Sequence, residues 1–253
     1  GVTGVQTCAL PISFKAIFSR IIEWYENKVV KQLDLVVTAT PFIQERFQKT
    51  HPFVVDINNY PLLSELEFSS SQLERTHVCY IGGITPIRGI TQLVEAMQFT
   101  QASLQLAGEL PSDYREKLSQ SEAWSKVFAC GHVSRTEARM IKQKAFAGIV
   151  TFLPYPNHIN AQPNKIFEYM ASGIPVVGSD FPLWKKIIEE RKVGICVNPE
   201  NPKNIADAIE YLRLNPEVAR EMGERGKQLV QDVFNWSVEE KKLVKAYKSL
   251  LKS

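Results

Sequence analysis

The sequence is short of the features that staple or anchor a chain. It holds four cysteines, none in a Cys-x-x-Cys pair, so spacing supports neither a zinc site nor a disulfide framework. Cys8 falls in a segment set aside below. Cys79, Cys130 and Cys196 remain, far apart and odd in number, which suits a reduced cytosolic setting. No apolar run reaches the roughly 18 residues of a membrane span. Gly-x-Gly-x-x-Gly and the P-loop pattern are both absent, which counts against a dinucleotide-dependent oxidoreductase and a P-loop phosphate cradle. No Asp-x-Asp offers paired carboxylates to a divalent cation. Neither repeats nor low-complexity tracts occur. Charge is nearly balanced, with 30 Lys and Arg against 27 Asp and Glu, so nothing points to a nucleic-acid partner.

What is present is globular: 253 residues, 44% hydrophobic and 23% charged. A chain this long buries roughly three quarters of its unfolded surface, enough for one large domain or two small ones. The opening GVTGVQTCALPIS is uncharged and follows no helix or strand period. It lacks the basic start and the long apolar run of a signal peptide. Val2–Ile12, VTGVQTCALPI, resembles an in-frame translation of a common sequencing adapter; an ordinary N-terminal tail is the alternative. Residues 1–13 are therefore excluded from fold reasoning, and the protein itself is expected to begin near Phe14, inside a longer polypeptide.

From Phe14 to Tyr60 the pattern is helix, strand, helix, strand, half of an α/β domain. Residues 62–76, PLLSELEFSSSQLERT counted from Pro61, are polar and Ser-rich and predict a linker. From His77 the alternation resumes: apolar strands at VCYIGG, SLQLAGE, KVFACGHV, AGIVTFLP, IPVVGSD and VGICVNP, with helices between them, one of which is expected to run over YREKLSQSEAW. Alternation of this kind predicts a doubly wound parallel sheet, Rossmann-like. The remainder is helical, ending in a helix from Trp236.

Ligands of open parallel sheets bind beyond the C-terminal ends of the strands, and three loops there stand out. YIGGITPIRGI places Gly82 and Gly83 directly after a strand, where a ligand can approach bare backbone; Arg88 follows on the same loop with a fork suited to phosphate. Alone, this reads as a tight turn with a surface Arg. NHINAQPNKIFEYMASGIPVVGSD sets Pro163 in the first turn of a helix, where free N–H groups and the helix dipole favour anions. Lys165 adds charge, and Glu168, one turn further, can accept from ribose hydroxyls. The alternative is a surface Lys165–Glu168 pair. Gly173 suits the cap that ends this helix. FACGHVSRTE ends a strand at Gly131 and His132, with Ser134 a cap for the next helix. No Ser or Cys nucleophile pattern accompanies His132, which favours a structural or backbone-contact role.

The succession G-G…R-G, L-A-G-E, G-H-V-S, P-N-K-I-F-E-Y-M-A-S-G-I-P-V-V-G-S-D and V-G-I-C-V-N-P, closing with E-M-G-E-R-G-K-Q-L-V and F-N-W-S, resembles the C-terminal domain of glycosyltransferase family 4. The likeness covers nearly everything after Phe14. It implies two Rossmann-like domains in the GT-B arrangement. Residues 14–61 would be the end of the acceptor-side domain, 77–235 the donor-binding domain, and 236–253 a helix crossing back. The implied reaction moves a sugar from a nucleoside-diphosphate sugar to an acceptor hydroxyl on a glycan or lipid-linked acceptor, with retention, no metal and no further cofactor. By position, Arg88 takes the basic residue on the diphosphate and Glu168 the second Glu of a pair. The first Glu of that pair is replaced by Asn160, a donor-sugar contact, and a second basic residue of the loop is replaced by Gly83. Gly82, Gly131, His132, Pro163, Asn164 and Lys165 complete the implied donor site. The chain by itself is expected to bind donor weakly and transfer nothing.

Rivals are a sugar-nucleotide epimerase or phosphorylase on the same fold, and a non-catalytic nucleotide-binding module, which the loss of Glu at position 160 would suit. The last helix sets Lys241, Lys242, Lys245, Lys248 and Lys252 beside Leu243, Val244, Leu250 and Leu251. Such a helix either lies peripherally on the inner face of an anionic membrane or, more usually, packs on its own protein with its lysines solvated.

Overall fold

The computed structural model of the chain describes residues 12–63 and 74–251. The adapter-like segment before residue 12 and most of the expected linker, residues 64–73, lie outside the described residues. Two compact units are present: Asn59–Glu239, and a smaller one joining the residues up to Asn58 to those from Glu240.

The smaller unit holds α1 (Ile12–Val30), β1 (Val36–Thr38), α2 (Pro41–Gln48) and β2 (Val54–Asp56). The two strands run parallel, Val36 opposite Val54 and Thr38 opposite Asp56. Val30, Val36 and Val54 form a small core of their own. Thr40 caps α2 by accepting from the Ile43 amide, and Pro41 takes the first helical position, where a missing N–H costs nothing.

The larger unit alternates β3 (His77–Ile81), α3 (Ile90–Ala96), β4 (Ser103–Ala107), α4 (Ser112–Ser119), β5 (Val127–Gly131), α5 (Arg135–Gln143), β6 (Ala145–Val150), α6 (Pro156–Ile159), α7 (Asn164–Ala171), β7 (Val176–Ser179), α8 (Pro182–Ile188) and β8 (Gly194–Val197). Then come α9 (Pro202–Leu214) and α10 (Pro216–Asp232); α11 (Trp236–Leu250) starts in this unit and belongs from Glu240 on to the smaller one. Six strands form one sheet in the order β5-β4-β3-β6-β7-β8, every pair parallel. Helices on both faces leave such strands nowhere to expose a side chain, and β6 is buried at every position. Chain order reverses between β3 and β6, the switch point of a doubly wound sheet. The α/β architecture follows the alternation read from the sequence.

Tyr80, Leu104, Leu106, Ile149, Ile166 and Trp184 are wholly buried in the core, where truncating one leucine costs roughly 2–5 kcal/mol. Helix α10 reaches α7 through glycine: a Cβ on Gly223 would stand 2.2 Å from the Gly173 carbonyl oxygen. Capping chemistry sets the ends. Ser134 and Glu137 form a reciprocal capping box on α5, and Gly173 follows α7 in the left-handed region at φ +67°.

Two local features depart from the sequence pattern. The helix expected over Tyr114–Trp124 ends at Ser119, and Glu122–Lys126 forms a separate 3-10 turn. No apolar residue falls between Leu118 and Ala123, so Ser119, Gln120 and Ser121 have nothing to bury and the chain turns. Helix α6 is too short to leave a periodic trace. No described helix is long and apolar enough to cross a membrane.

Glu210 on α9 ties that helix to the loop before β4. Its carboxylate pairs with Arg213 at 2.8 Å, accepts the Gln101 amide at 2.6 Å and accepts the Thr100 hydroxyl. These donors, Arg213 first, hold its pKa down at about 2. A depressed carboxylate stabilises the fold above its unfolded value and loses that contribution as pH falls through the folded value. Glu210→Gln should therefore lower stability by on the order of 1 kcal/mol at pH 7, the pair being partly screened by solvent. Urea melts should show the two proteins converging below about pH 4 as the wild-type carboxylate protonates.

Candidate functional site

Three strands end side by side in glycine. Gly82 follows β3, Gly108 follows β4 and Gly131 closes β5, all at positive φ, +138°, +148° and +68°. The ends are stitched together: the Gly82 amide donates to Ala107 and the Gly108 amide to Gly131, each at 2.8 Å. A Cβ on Gly108 would lie 2.0 Å from the Gly82 carbonyl oxygen. The result is a strip of bare backbone along the C-terminal edge of the sheet.

Beside this strip the sheet opens. Pairing of β3 with β6 runs from His77 to the Cys79–Gly148 pair and stops. The next β3 amide facing that side, Ile81 N–H, donates to the Tyr169 hydroxyl at 3.0 Å instead. The Tyr169 ring fills the place where a Gly148 side chain would stand; a Cβ there would meet the ring at 2.3 Å. Tyr169 sits on α7, so one side chain wedges the strands apart and ties the helix to the glycine loop. Burial pushes its hydroxyl well above the ordinary tyrosine range, keeping it protonated.

Two cations lie over the bare loop. The Lys165 Nζ stands 2.3 Å from the place a Gly82 Cβ would take, and Arg88 Nη1 stands 2.9 Å from that of Gly83 and 3.9 Å from that of Gly82. Arg88 Nη1 donates to the Gly83 carbonyl at 3.4 Å, and its guanidinium rests 5.4 Å over the Phe152 ring. The Lys165 ammonium lies 5.9 Å from the Tyr80 ring centre. Neither cation enters an ion pair among the described residues. The pKa of Lys165 is lowered, first by burial and then by the Arg88 charge, while Glu168 pulls it back up. Two like charges held together without a carboxylate between them invite an anion.

The second loop departs from the sequence expectation at its proline. Pro163 is the N-cap of α7, extended at φ −70° and ψ 130°, and the helix begins at Asn164. Its carbonyl, not its ring position, serves the turn by accepting the Ile166 amide at 3.1 Å. The Asn164 and Lys165 amides precede that bond and have no helical partner, as at any helix start. The alternative Lys165–Glu168 surface pair does not form among the described residues; Lys165 turns to the glycine loop instead. Glu168 is half-buried one turn along. Asn160 closes α6, half-buried, and the Trp184 indole fixes the next residue by donating to the Ala161 carbonyl at 2.7 Å. Asn164 is exposed at the start of α7, and His132 is exposed beside Gly131. Among the described residues no hydrogen bond joins His132 to the cation pair.

Tyr80, Gly108, Phe152 and Tyr169 are the site-forming residues the motifs did not single out. Only Gly108, directly after an apolar strand, carried a usable signal. A cavity of about 800 Å³ lies at the opposite end of the strands, lined by Arg75, Ala102, Phe146, Gly173 and Leu212 among others. It contains none of the predicted site residues.

Gly148, Gly82 and Gly131 make different demands, and alanine substitutions should rank accordingly in thermal melts. Gly148→Ala strikes a buried ring and should cost most, about 3 kcal/mol or more. Gly82→Ala strains a φ of +138° and displaces a flexible lysine head, costing about 1–3 kcal/mol. A Cβ on Gly131 meets nothing within 4 Å, so Gly131→Ala bears the left-handed conformation alone, about 1 kcal/mol.

Residues 64–229 match the family described as glycosyl transferases group 1. The O-antigen chain mannosyltransferase of Salmonella typhimurium is 26% identical over 231 residues, 84% of this chain, and the chain spans 62% of that relative's length. Among solved structures, a sucrose-phosphate synthase from Thermosynechococcus elongatus superposes with a TM-score of 0.75 at 21% identity, covering 90% of this chain and 61% of that one. The Anabaena protein HepE, solved in complex with UDP, gives 0.72 at 16% identity over 85% of this chain and 64% of its own. These solved structures have GT-B glycosyltransferase folds. A match over about two thirds of the sequence, on a parallel sheet whose strand ends carry an anion-ready loop, places the chain in the glycosyl transferases group 1 family.

Proposed function

We propose that this chain carries the donor-binding half of a glycosyltransferase that moves a sugar from a nucleoside-diphosphate sugar to an acceptor hydroxyl. The observation that carries the proposal is the pair Arg88 and Lys165, gathered over Gly82 and Gly83 without a neutralising carboxylate. Breaking the bond from sugar to diphosphate leaves negative charge on the departing group. Preorganised cations and helix N–H groups stabilise that charge most where water is excluded. Arg88, Lys165 and the start of α7 do so here, the task a divalent cation would otherwise perform. Glu168 accepts from the ribose, Asn160 and the exposed His132 face the sugar, and the bare strip from Gly82 to Gly131 lets the donor lie against backbone. Retention of configuration, as the family resemblance implies, goes with this arrangement.

The names of the relatives support glycan or glycoconjugate acceptors, and HepE supports a UDP-type donor. Residues 14–61 serve as the end of an acceptor-side domain, 77–235 as the donor domain, and 236–253 as the returning helix, in a protein of the cytoplasm. The chain spans 62% of the length of the mannosyltransferase relative, and by itself it is expected to bind donor weakly and to transfer nothing.

Calorimetry with UDP, GDP and ADP tests this on the 253-residue chain. One nucleotide should bind, with Arg88→Ala, Lys165→Ala and Glu168→Ala each weakening it about 10- to 100-fold, the loss of a charge-assisted hydrogen bond. A folded chain that binds none of the three, or an Arg88→Ala variant that binds as well as wild type, defeats the proposal. Lys165 must be charged to hold an anion, and its pKa lies below the ordinary lysine value. Affinity should thus fall as pH rises through that lowered value, and Lys165→Ala should remove the pH dependence.

A further inference from the structure

Both cations are aligned by one buried neutral side chain. Tyr80 is wholly buried at the end of β3. Its hydroxyl donates to the Gly83 carbonyl at 2.7 Å, the same oxygen that accepts from Arg88 Nη1. The face of its ring lies 5.9 Å from the Lys165 ammonium. Tyr80 therefore touches the seat of one cation through its oxygen and the other cation through its π-face. The choice of a neutral residue matters. A carboxylate in this place would hold the same two groups but cancel the charge that an anion must meet. A tyrosine face attracts an ammonium while leaving its charge in place. Burial and the neighbouring guanidinium act in opposite directions on the Tyr80 hydroxyl, and burial wins, so it stays a donor.

From this geometry we infer that Tyr80 is a positioning residue of the donor site, setting the angle of the Gly83 carbonyl and hence the separation of Arg88 and Lys165, so that the two cations bracket a diphosphate rather than a single phosphate. The inference rests on the donor-site proposal above. Without the Tyr80 hydroxyl, Gly83 keeps only the longer Arg88 bond, and the loop is free to rotate its carbonyl. Arg88 then follows the carbonyl, while Glu168, held on α7, does not move. The loss should therefore fall on the second phosphate and spare the nucleoside end.

The test compares binding of a nucleoside diphosphate and the matching monophosphate to the full chain and to Tyr80→Phe, which removes one oxygen and keeps the ring. Diphosphate affinity should fall about tenfold, the worth of one hydrogen bond near a charge, with monophosphate affinity changed less than about twofold. Equal weakening of both ligands would mark Tyr80 as merely structural and overturn the inference, as would no change in either. Failure of wild type to bind the diphosphate sinks the donor-site proposal itself, a different result from a wild type that binds and a variant that matches it. A second measurement needs no variant: the Tyr80 ring-carbon resonance of wild type should shift on adding diphosphate and not monophosphate. An unmoved resonance under saturating diphosphate overturns the inference even if Tyr80→Phe fails to fold.

Discussion

One hydrogen bond, from the Ile81 amide to the Tyr169 hydroxyl, stands at the point on which the site depends. Parallel strands normally satisfy each other's amides, and β3 and β6 do so up to Cys79 and Gly148. Had they continued, the sheet would be closed where the chain order reverses. The tyrosine takes over a bond that β6 no longer makes, in a part-buried place where an orphaned amide would be costly. Gly148 is the complementary requirement, because only a residue without a side chain leaves room for the ring. From that wedge follow the opening beside β3, the seating of α7 and the delivery of Lys165 to the glycine loop.

Charge is then placed on a surface that cannot cancel it. The two cations lie against a carbonyl, two aromatic rings and bare backbone, with Glu168 within coulombic reach of Lys165. Each attracts a cation weakly and none removes its charge. Burial first, and then the Arg88 charge, lower the Lys165 pKa, so holding the two cations together is a cost to the free protein. Stability supplied elsewhere, by the core around the sheet and by clamps such as Glu210, offsets it. This division between a stable scaffold and a strained site is common in binding proteins.

Departures from the family pattern fall in this same place. Gly83 stands where a second basic residue is usual, and the structure shows why a side chain would be awkward: the space is already taken by the Arg88 guanidinium. Asn160 stands where a Glu is usual, at the end of α6 and beside a loop pinned by Trp184. One change removes a positive charge and the other a negative one, and the proposed donor site rests on Arg88, Lys165 and Glu168.

Much of this was legible before any coordinates. Strand and helix alternation, with Val- and Ile-rich strands, determined the doubly wound sheet, because a strand covered on both faces admits only apolar residues. Gly82, Gly131 and Gly173 announced their turns through a conformation that other residues rarely adopt. Gly-Gly, Arg88, Lys165 and Glu168 were readable as candidates from their places after strands and at a helix start. Their convergence was not. Lys165 lies far along the chain from Gly82, and whether it pairs with Glu168 or turns to the loop depends on the distance between α7 and β3. That distance is set by Tyr169 and Gly148, which local sequence shows only as one more apolar helix position and one glycine in a strand. The roles of Tyr80 and Phe152 were hidden for the same reason: a buried aromatic looks like core until its hydroxyl or its face is seen against a charge. Periodicity reports which side of an element is buried; only the packed structure decides what each buried group touches.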